Sequence, residues 1–103
     1  MTLLSINIFA QGTLMLVGGG TERSGNDAWN YDPYTDAVSL AANGRVAIVA
    51  WGPEPDSWMR DYFTNTCNAV AAKHFDLSAV DPGDYPVIYD SLMTYDMFFF
   101  KGG

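Results

Sequence analysis

Continuous apolar runs, each followed closely by glycine, are the dominant pattern along this chain. Residues 14–17, 46–51 and 97–100 are such runs, and none of them alternates between apolar and polar positions. Strands that are apolar on both faces belong to parallel sheets covered by helices. The pattern therefore predicts three buried strands of one parallel sheet.

Helical periodicity fills the first gap between these runs. Residues 31–44 predict a helix that is capped by Asp32, carries Pro33 at its first position and stops at Gly44. Asp is a favoured N-cap, proline is tolerated in the first turn, and glycine commonly follows a helix end.

A second helix is predicted to begin at a cap on Asp56. Its buried stripe consists of apolar residues at helical spacing, namely Met59, Phe63, Cys67, Val70 and Ala71. Lys73 and His74 fall near its predicted end, where cations meet the negative helix terminus. A short strand within residues 75–81 and a short helix around residues 90–94 complete the alternation. The order predicts a three-layer α/β/α sandwich with a mainly parallel, flavodoxin-like sheet that this chain leaves incomplete.

The acidic balance of the chain argues against a nucleic-acid-binding surface. Twelve acidic residues oppose five basic ones, giving a net charge of −7, whereas phosphate backbones are bound by positive surfaces. The acidity suits solubility or a cationic substrate, and both interpretations stay open. The single cysteine excludes an internal disulfide, and with one histidine it forms no metal-ligand cluster. The 103 residues have room for one small domain, and no segment is long enough to span a bilayer.

The N-terminal apolar run, residues 3–10, resembles the tail of a secretory signal peptide that is cleaved after Ala10. This interpretation treats residues 1–11 as a signal remnant and predicts export to the periplasm or the exterior. The alternative is an apolar first strand, in which case the cytoplasm is the expected location.

Ligands of parallel α/β sheets bind beyond the carboxyl ends of the strands. Here those ends carry "GGGTE", "WGPEP" and "KGG". A dinucleotide fingerprint fails in the first of them, because Arg23 stands where its third glycine belongs and Trp51 replaces the acid that ends the second strand. A phosphate-binding P-loop fails as well, because no Gly-Lys-Ser/Thr follows.

No candidate nucleophile has the expected setting in the sequence. Ser24 lacks the flanking glycines of a nucleophile elbow, Cys67 lies on a helical stripe, and His74 is expected to be solvated or to cap a helix. Glu22, Glu54 and Asp56 lie at strand ends, where catalytic carboxylates can lie, although loop solubility and helix capping also account for them.

The order "GTLMLVGGGTE", "SLAANGRVAIVAW", "DSWMRDYF" and "YDMFFFKGG" resembles the cyanophycinase-like serine peptidases. This family includes aspartyl dipeptidases and is related to the class I glutamine amidotransferases. The resemblance extends from Gly12 nearly to the end of the chain. It differs after the second strand, where "AWGPEP" stands in place of the family's "P-T-A-S", and after the second helix.

The resemblance implies that residues 12–103 form the N-terminal half of a hydrolytic domain that cleaves peptide bonds next to aspartate. It implies that the backbone of Gly102 and Gly103 helps to form the oxyanion hole, and that the nucleophilic serine follows later. Gly19, Gly20 and Glu22 are the candidate substrate-binding residues. A small peptide is the expected substrate, no metal or organic cofactor is implied, and a homodimer stays open. The alternatives are a non-catalytic amidotransferase-like binding module and a nucleotide binder at residues 18–21.

Overall fold

The chain forms an α/β fold around a three-stranded parallel sheet. The structure is a computed structural model that describes residues 3–7, 13–17 and 20–101. In chain order, its strands and helices are β1 (Leu3–Asn7), β2 (Thr13–Val17), α1 (Tyr31–Leu40), β3 (Arg45–Ala50), α2 (Trp58–Asp61) with a π-helical continuation (Tyr62–Thr66), β4 (Ala71–Asp76), α3 (Tyr85–Leu92) and β5 (Met97–Phe100). Short 3₁₀ turns at Leu77–Ala79 and Pro82–Asp84 join β4 to α3.

Strand β3 is the centre of the parallel sheet, with β4 on one side and β5 on the other. Val46 pairs with Ala72 of β4 and with Met97 of β5. Val46, Ala47 and Ile48 are fully buried because both edges and both faces of β3 are covered. The two strands predicted at residues 46–51 and 97–100 are therefore confirmed as members of one parallel sheet.

Strand β2 does not join this sheet, contrary to the prediction for residues 14–17. It pairs antiparallel with β1 in a separate two-stranded sheet, with Leu3 opposite Val17 and Asn7 opposite Thr13. Apolar composition indicates that a strand is buried, but it does not identify the strand with which it pairs. The nearby segment Leu3–Asn7 is separated from β2 by only a short connection. A short connection can join two antiparallel strands but not two parallel ones.

Two apolar clusters lie on the two faces of the parallel sheet. On one face, Val46 and Ile48 pack with side chains of α1, α2 and the π-helical turn. On the other face, Ala47 and Val49 pack with Phe75 and with Tyr95, which follows α3. The second face is less covered, since Phe100 remains 77% exposed at the β5 edge.

Helix α1 begins two residues earlier than a cap on Asp32 requires. Its N-cap is Asn30, which the sequence analysis did not select, and Pro33 lies in the first turn rather than at the first position. Val38 and Ala41 are buried. The helix ends at Leu40 with Ala41 as an extended C-cap, before the stop predicted at Gly44, which adopts a left-handed φ of +66° in the turn that leads into β3.

The second helix is much shorter than predicted, and its predicted C-terminal part is a strand. Met59, Phe63 and Cys67 are buried as expected, but Asn68 adopts a left-handed φ of 66° and ends the helical segment. Val70 is consequently 75% exposed.

Ala71, Lys73 and His74 lie on β4 rather than on a helix. This strand, Ala71–Asp76, replaces the one predicted within residues 75–81, and α3 at Tyr85–Leu92 begins before the helix predicted around residues 90–94. The N–H of Trp58 donates to the side chain of Asp56, while the N-cap position belongs to Ser57.

Candidate functional site

Two loops meet the carboxyl edge of the parallel sheet. Residues 51–57 leave β3 at this edge and lead into α2. Residues 20–30, called the Glu22 loop below, lead into the start of α1. Because only four residues connect the end of α1 to the start of β3, the first turn of α1 lies toward the carboxyl edge. Parallel α/β sheets bind their ligands at this edge.

Three consecutive residues of the Glu22 loop are each held by one side chain near the start of α1. The indole Nε1 of Trp29 donates to the carbonyl of Thr21 over 2.8 Å. The hydroxyl of Tyr34 donates to Oε1 of Glu22 over 3.1 Å. The third residue, Arg23, is held on its backbone by Asn30.

Asn30 makes a two-point contact with the backbone of Arg23. Its Oδ1 accepts from the Arg23 N–H at 3.0 Å, and its Nδ2 donates to the Arg23 carbonyl at 3.0 Å. Asn30 is fully buried, so both polar ends of its amide are satisfied, as burial requires. This contact ties the Glu22 loop to the N-cap of α1.

Gly20 permits the close approach of the Trp29 ring. A β-carbon at this position would lie 3.2 Å from Cε2 and Cζ2 of that indole. Such a distance is tighter than ordinary van der Waals contact, and the indole is fixed by its bond to Thr21. The close approach of the Trp29 indole therefore explains why glycine, the third one of "GGGTE", is favoured at position 20.

Tyr34 connects Glu22 to the end of β5. Its ring stacks on Phe63 with centroids 5.5 Å apart and meets the edge of Phe99 at 5.1 Å. Burial raises the pKa of the Tyr34 hydroxyl well above its ordinary value, and the charge and hydrogen bond of Glu22 raise it further. The hydroxyl therefore remains a proton donor to Glu22 throughout the physiological pH range. Through this contact, Glu22 is linked to a residue only three positions before Gly102.

A second polar cluster lies on the side of the sheet that faces α2. Arg60 donates to both carboxylate oxygens of Glu54, over 2.7 and 2.8 Å. This hydrogen bond is the main cause of a lowered pKa for Glu54, and the charges of Arg60, His74 and Lys101 lower it further. Nε2 of His74 is 2.9 Å from the carbonyl of Gly52, and because a carbonyl only accepts, this nitrogen carries the proton. The backbone N–H of Lys101 donates to Val49, which brings the end of β5 to the end of β3.

Two of the five site residues predicted from the sequence lie within the described chain. Gly20 and Glu22 both belong to the Glu22 loop, while Gly19, Gly102 and Gly103 lie outside the described residues. The sequence analysis missed Trp29, Asn30 and Tyr34, which hold the loop. An asparagine directly before a helical pattern is a preferred N-cap, and this signal could have identified Asn30.

Neither Cys67 nor His74 belongs to a nucleophile–base pair. Cys67 is 1% exposed, and burial raises the pKa of its thiol. His74 is half-buried and bonded to a backbone carbonyl, instead of being solvated or capping a helix. Among residues 20–101, no serine hydroxyl forms a hydrogen bond with His74.

The opposite edge of the sheet carries a groove of about 340 Å³ between the end of α1 and the residues around Asn68. The described part of the chain contains no group of three His, Cys, Asp or Glu side chains that could hold a metal ion. No helix within the described ranges has the length and apolar character to cross a membrane.

Comparison of the chain with protein-family models, with curated proteins and with solved structures returned no match. The function proposed below consequently rests on the sequence motifs and on the geometry of the carboxyl edge.

Proposed function

We propose that this chain is the substrate-binding and oxyanion-stabilising portion of a serine-type peptidase similar to the cyanophycinase-like family, which hydrolyses peptide bonds next to aspartate. The supporting observation is the contact chain from Glu22 through Tyr34 to Phe99. It joins the loop after the first glycine cluster to the strand that leads into the last one. The family resemblance puts the oxyanion donors in the last cluster, and the candidate substrate-binding residues Gly20 and Glu22 lie in the loop.

In this proposal, the backbone N–H groups of Gly102 and Gly103 face the oxygen of the scissile carbonyl as negative charge develops on it. Donors of this kind act at about 2.7–3.1 Å from the oxyanion. A serine attacks the carbonyl carbon while a histidine takes its proton, and the histidine passes this proton to the amine that leaves as the peptide bond breaks. Water then hydrolyses the acyl-enzyme, which releases the acid and restores the serine. Neither partner of that pair is assigned to a described residue. Glu22 orients the substrate beside the reacting bond.

The complete fold in this proposal is a three-layer α/β/α sandwich. Helices α1 and α2 form one layer on the sheet, and the region around α3 contributes to the other. Phe98 and Phe100 are 38% and 77% exposed on that second face. Burying a fully exposed phenylalanine gains about 1.5–3 kcal/mol. These two side chains forgo part of that gain, more at Phe100 than at Phe98, which favours cover over this face.

A binding module without catalytic activity is the second candidate. It is favoured by the carboxylate of Glu22, which Tyr34 holds in place and which can contact a ligand without any nucleophile. In that case the Glu22 loop recognises a ligand, and the glycines of the last cluster only form a turn.

Activity assays on the protein that contains this chain separate these candidates. We expect turnover of Asp-containing dipeptides or of a β-linked Asp-Arg substrate that serine-directed inhibitors abolish. Gly102→Ala and Gly103→Ala keep the backbone N–H, but the added β-carbon should block the approach of the scissile carbonyl to it. We expect kcat to fall by about 10²–10³ while the fold is retained, as much as the loss of one oxyanion donor costs. Gly83→Ala is the matched control, since a β-carbon there meets nothing within 4 Å.

The 103-residue chain alone should hydrolyse none of these substrates. If the chain alone showed turnover that serine-directed inhibitors abolish, the proposal that it supplies only the substrate-binding and oxyanion-stabilising portion would be wrong. If both variants kept a normal kcat while remaining folded, the two glycines would be structural, and the binding module would be the better account.

Export and assembly belong to the same proposal. If residues 1–11 are a signal remnant, N-terminal sequencing of secreted protein should begin near Gln11, whereas an intact N-terminus recovered from cytoplasm would refute export. A small peptide is the proposed partner, and sedimentation of the purified protein decides whether it forms a homodimer.

A further inference from the structure

We propose that the carboxylate of Glu22 is a binding site for a primary ammonium group of a peptide ligand. This inference rests on the proposed function only in treating the ligand as a peptide. The argument starts from the arrangement of the carboxylate. Its Oε1 accepts from the Tyr34 hydroxyl at 3.1 Å, which leaves Oε2 and further lone pairs to accept other donors.

Within residues 3–7, 13–17 and 20–101, no side chain supplies a cation to this carboxylate. Among the residues that the structure describes, the ion pair formed is the one between Arg60 and Glu54. Glu22 is nevertheless half-buried, so part of its hydration is lost on folding. A negative charge that is partly removed from water and lacks a counterion is stabilised by a cationic ligand.

The position of Glu22 is fixed before any ligand arrives. Its neighbours Thr21 and Arg23 are held by Trp29 and Asn30, and its own side chain is held by Tyr34. A site that is already ordered loses little conformational entropy when it binds. The loop remains reachable, because Thr21 and Arg23 are exposed on either side of Glu22.

The cationic group that we expect Glu22 to bind is an ammonium rather than a guanidinium. A guanidinium binds a carboxylate best through two parallel hydrogen bonds to both oxygens. Tyr34 uses one lone pair of Oε1, which restricts the directions from which a second donor reaches this oxygen and makes the two-bond geometry less favourable. An ammonium is a compact charge with three rotatable donors and needs no such fork. The net charge of −7 also raises the local concentration of cations around the protein.

The test is a titration of the protein with L-alaninamide, followed by NMR at the Glu22 backbone amide and the Trp29 indole N–H. We expect saturable shifts in the millimolar range, and none with N-acetyl-alaninamide, which lacks the charge. N-acetyl-lysinamide, which has an ammonium only on its side chain, distinguishes an amino terminus from a lysine as the source. Binding by both probes supports an ammonium site that accepts either source.

Glu22→Gln should weaken the binding of the ammonium probe about tenfold, the lower end of what a charged hydrogen bond supplies. Asp36→Asn removes one negative charge from exposed α1 surface and should leave the affinity unchanged. Tyr34→Phe keeps the buried ring and should weaken binding several-fold, while an unchanged amide shift for Arg23 shows that the Glu22 loop is intact.

Equal affinity of the wild type and Glu22→Gln would overturn the assignment. Equal binding of N-acetyl-alaninamide and L-alaninamide would also overturn it, as would tighter binding of butylguanidinium than of butylammonium. These measurements need no turnover. A failed ammonium site is therefore distinguishable from a failed peptidase assignment, which the serine-inhibitor assay tests separately.

Discussion

Replacing Asn30 by alanine should release the Glu22 loop from the rest of the fold. The Asn30 side chain is fully buried and holds both the N–H and the carbonyl of Arg23, each over 3.0 Å. The alanine variant removes both hydrogen bonds and leaves a small void at the N-cap of α1. It leaves the apolar faces of the parallel sheet intact.

The expected loss of stability follows from these two bonds. Each neutral hydrogen bond contributes about 1 kcal/mol net, and a buried group that loses its partner costs about 1–3 kcal/mol. Arg23 is exposed, so water can reach its backbone once the loop is free, which keeps the loss toward the lower end. The two lost hydrogen bonds and the small void together should lower the free energy of unfolding by about 2–3 kcal/mol. This is a large share of the 5–15 kcal/mol typical of a domain.

Urea unfolding measures the total loss, and hydrogen exchange localises it. In the wild type, the Arg23 amide should be protected, because it donates to Asn30. In the variant, this amide should exchange close to its unprotected rate, while the amides of β3 lose protection only in proportion to global stability.

Asn26→Ala is the matched control for this experiment. Asn26 is an exposed residue of the same loop, and surface substitutions of this kind change stability by less than about 0.5 kcal/mol. If Asn30→Ala lost no more than the control, or if the Arg23 amide remained protected, Asn30 would not hold the loop.

Three further outcomes are expected. Gly44→Ala should lower stability by about 1–3 kcal/mol in urea unfolding, because φ is +66° and the new β-carbon would lie 2.8 Å from a valine methyl; Gly83→Ala, in open space, should lose much less. An NMR titration of Glu54 should give a pKa below its usual range, and Arg60→Gln should return it upward, since the Arg60 hydrogen bond is the main cause of the shift. Folding lowers the pKa of Glu54. The ion pair with Arg60 should therefore stabilise the fold fully at a pH above the pKa that Glu54 has in the unfolded chain, and this stabilisation should disappear as the pH falls through the pKa of Glu54 in the folded protein. A loss of this stabilisation on raising the pH would contradict the prediction. Cys67 should react with a thiol reagent only as fast as the protein unfolds, since it is buried and its thiol pKa is raised; rapid labelling under native conditions would refute its burial.

A strand of the parallel sheet could be predicted where its apolar content alone determines that it is buried at the centre. Strand β3 is apolar throughout and is the buried centre of the sheet, so pattern and position agree. Strand β2 has an equally apolar pattern but pairs with β1. Pattern indicates how much of a strand is covered, whereas its partner depends on which other strands reach it.

The end of the second helix was mispredicted because helical spacing continues past the true boundary. Apolar residues at positions 67, 70 and 71 fit a helical stripe, but the same residues also fit a helix end followed by a strand. Asn68 decides between them, since asparagine tolerates the left-handed conformation that ends a helix. With the helix ended there, residues 71–76 are free to pair beside β3.

The candidate site could be predicted only in part for a related reason. Glu22 was selected because it follows an apolar run, where ligands of α/β folds bind. Its partner Tyr34 lies twelve residues further along, beyond a polar loop whose path no periodicity predicts. Contacts of this kind depend on the shape of the loop, which single-sequence patterns do not encode.

Compared with an apolar residue that filled the space of Asn30, the hydrogen bonds that hold the Glu22 loop would add little to stability, which favours a functional reason for them. The hydrogen bonds of Asn30 largely offset the cost of burying its amide, so their net gain over an apolar residue that filled the same space would be small. What the bonds provide is one defined conformation for the residues around Glu22. A connection between β2 and α1 requires only that its ends be joined, and loop length alone costs little. A carboxylate that must meet a ligand in one orientation does require such fixation. In the ammonium site proposed above, Trp29, Asn30 and Tyr34 are the residues that hold the carboxylate in place.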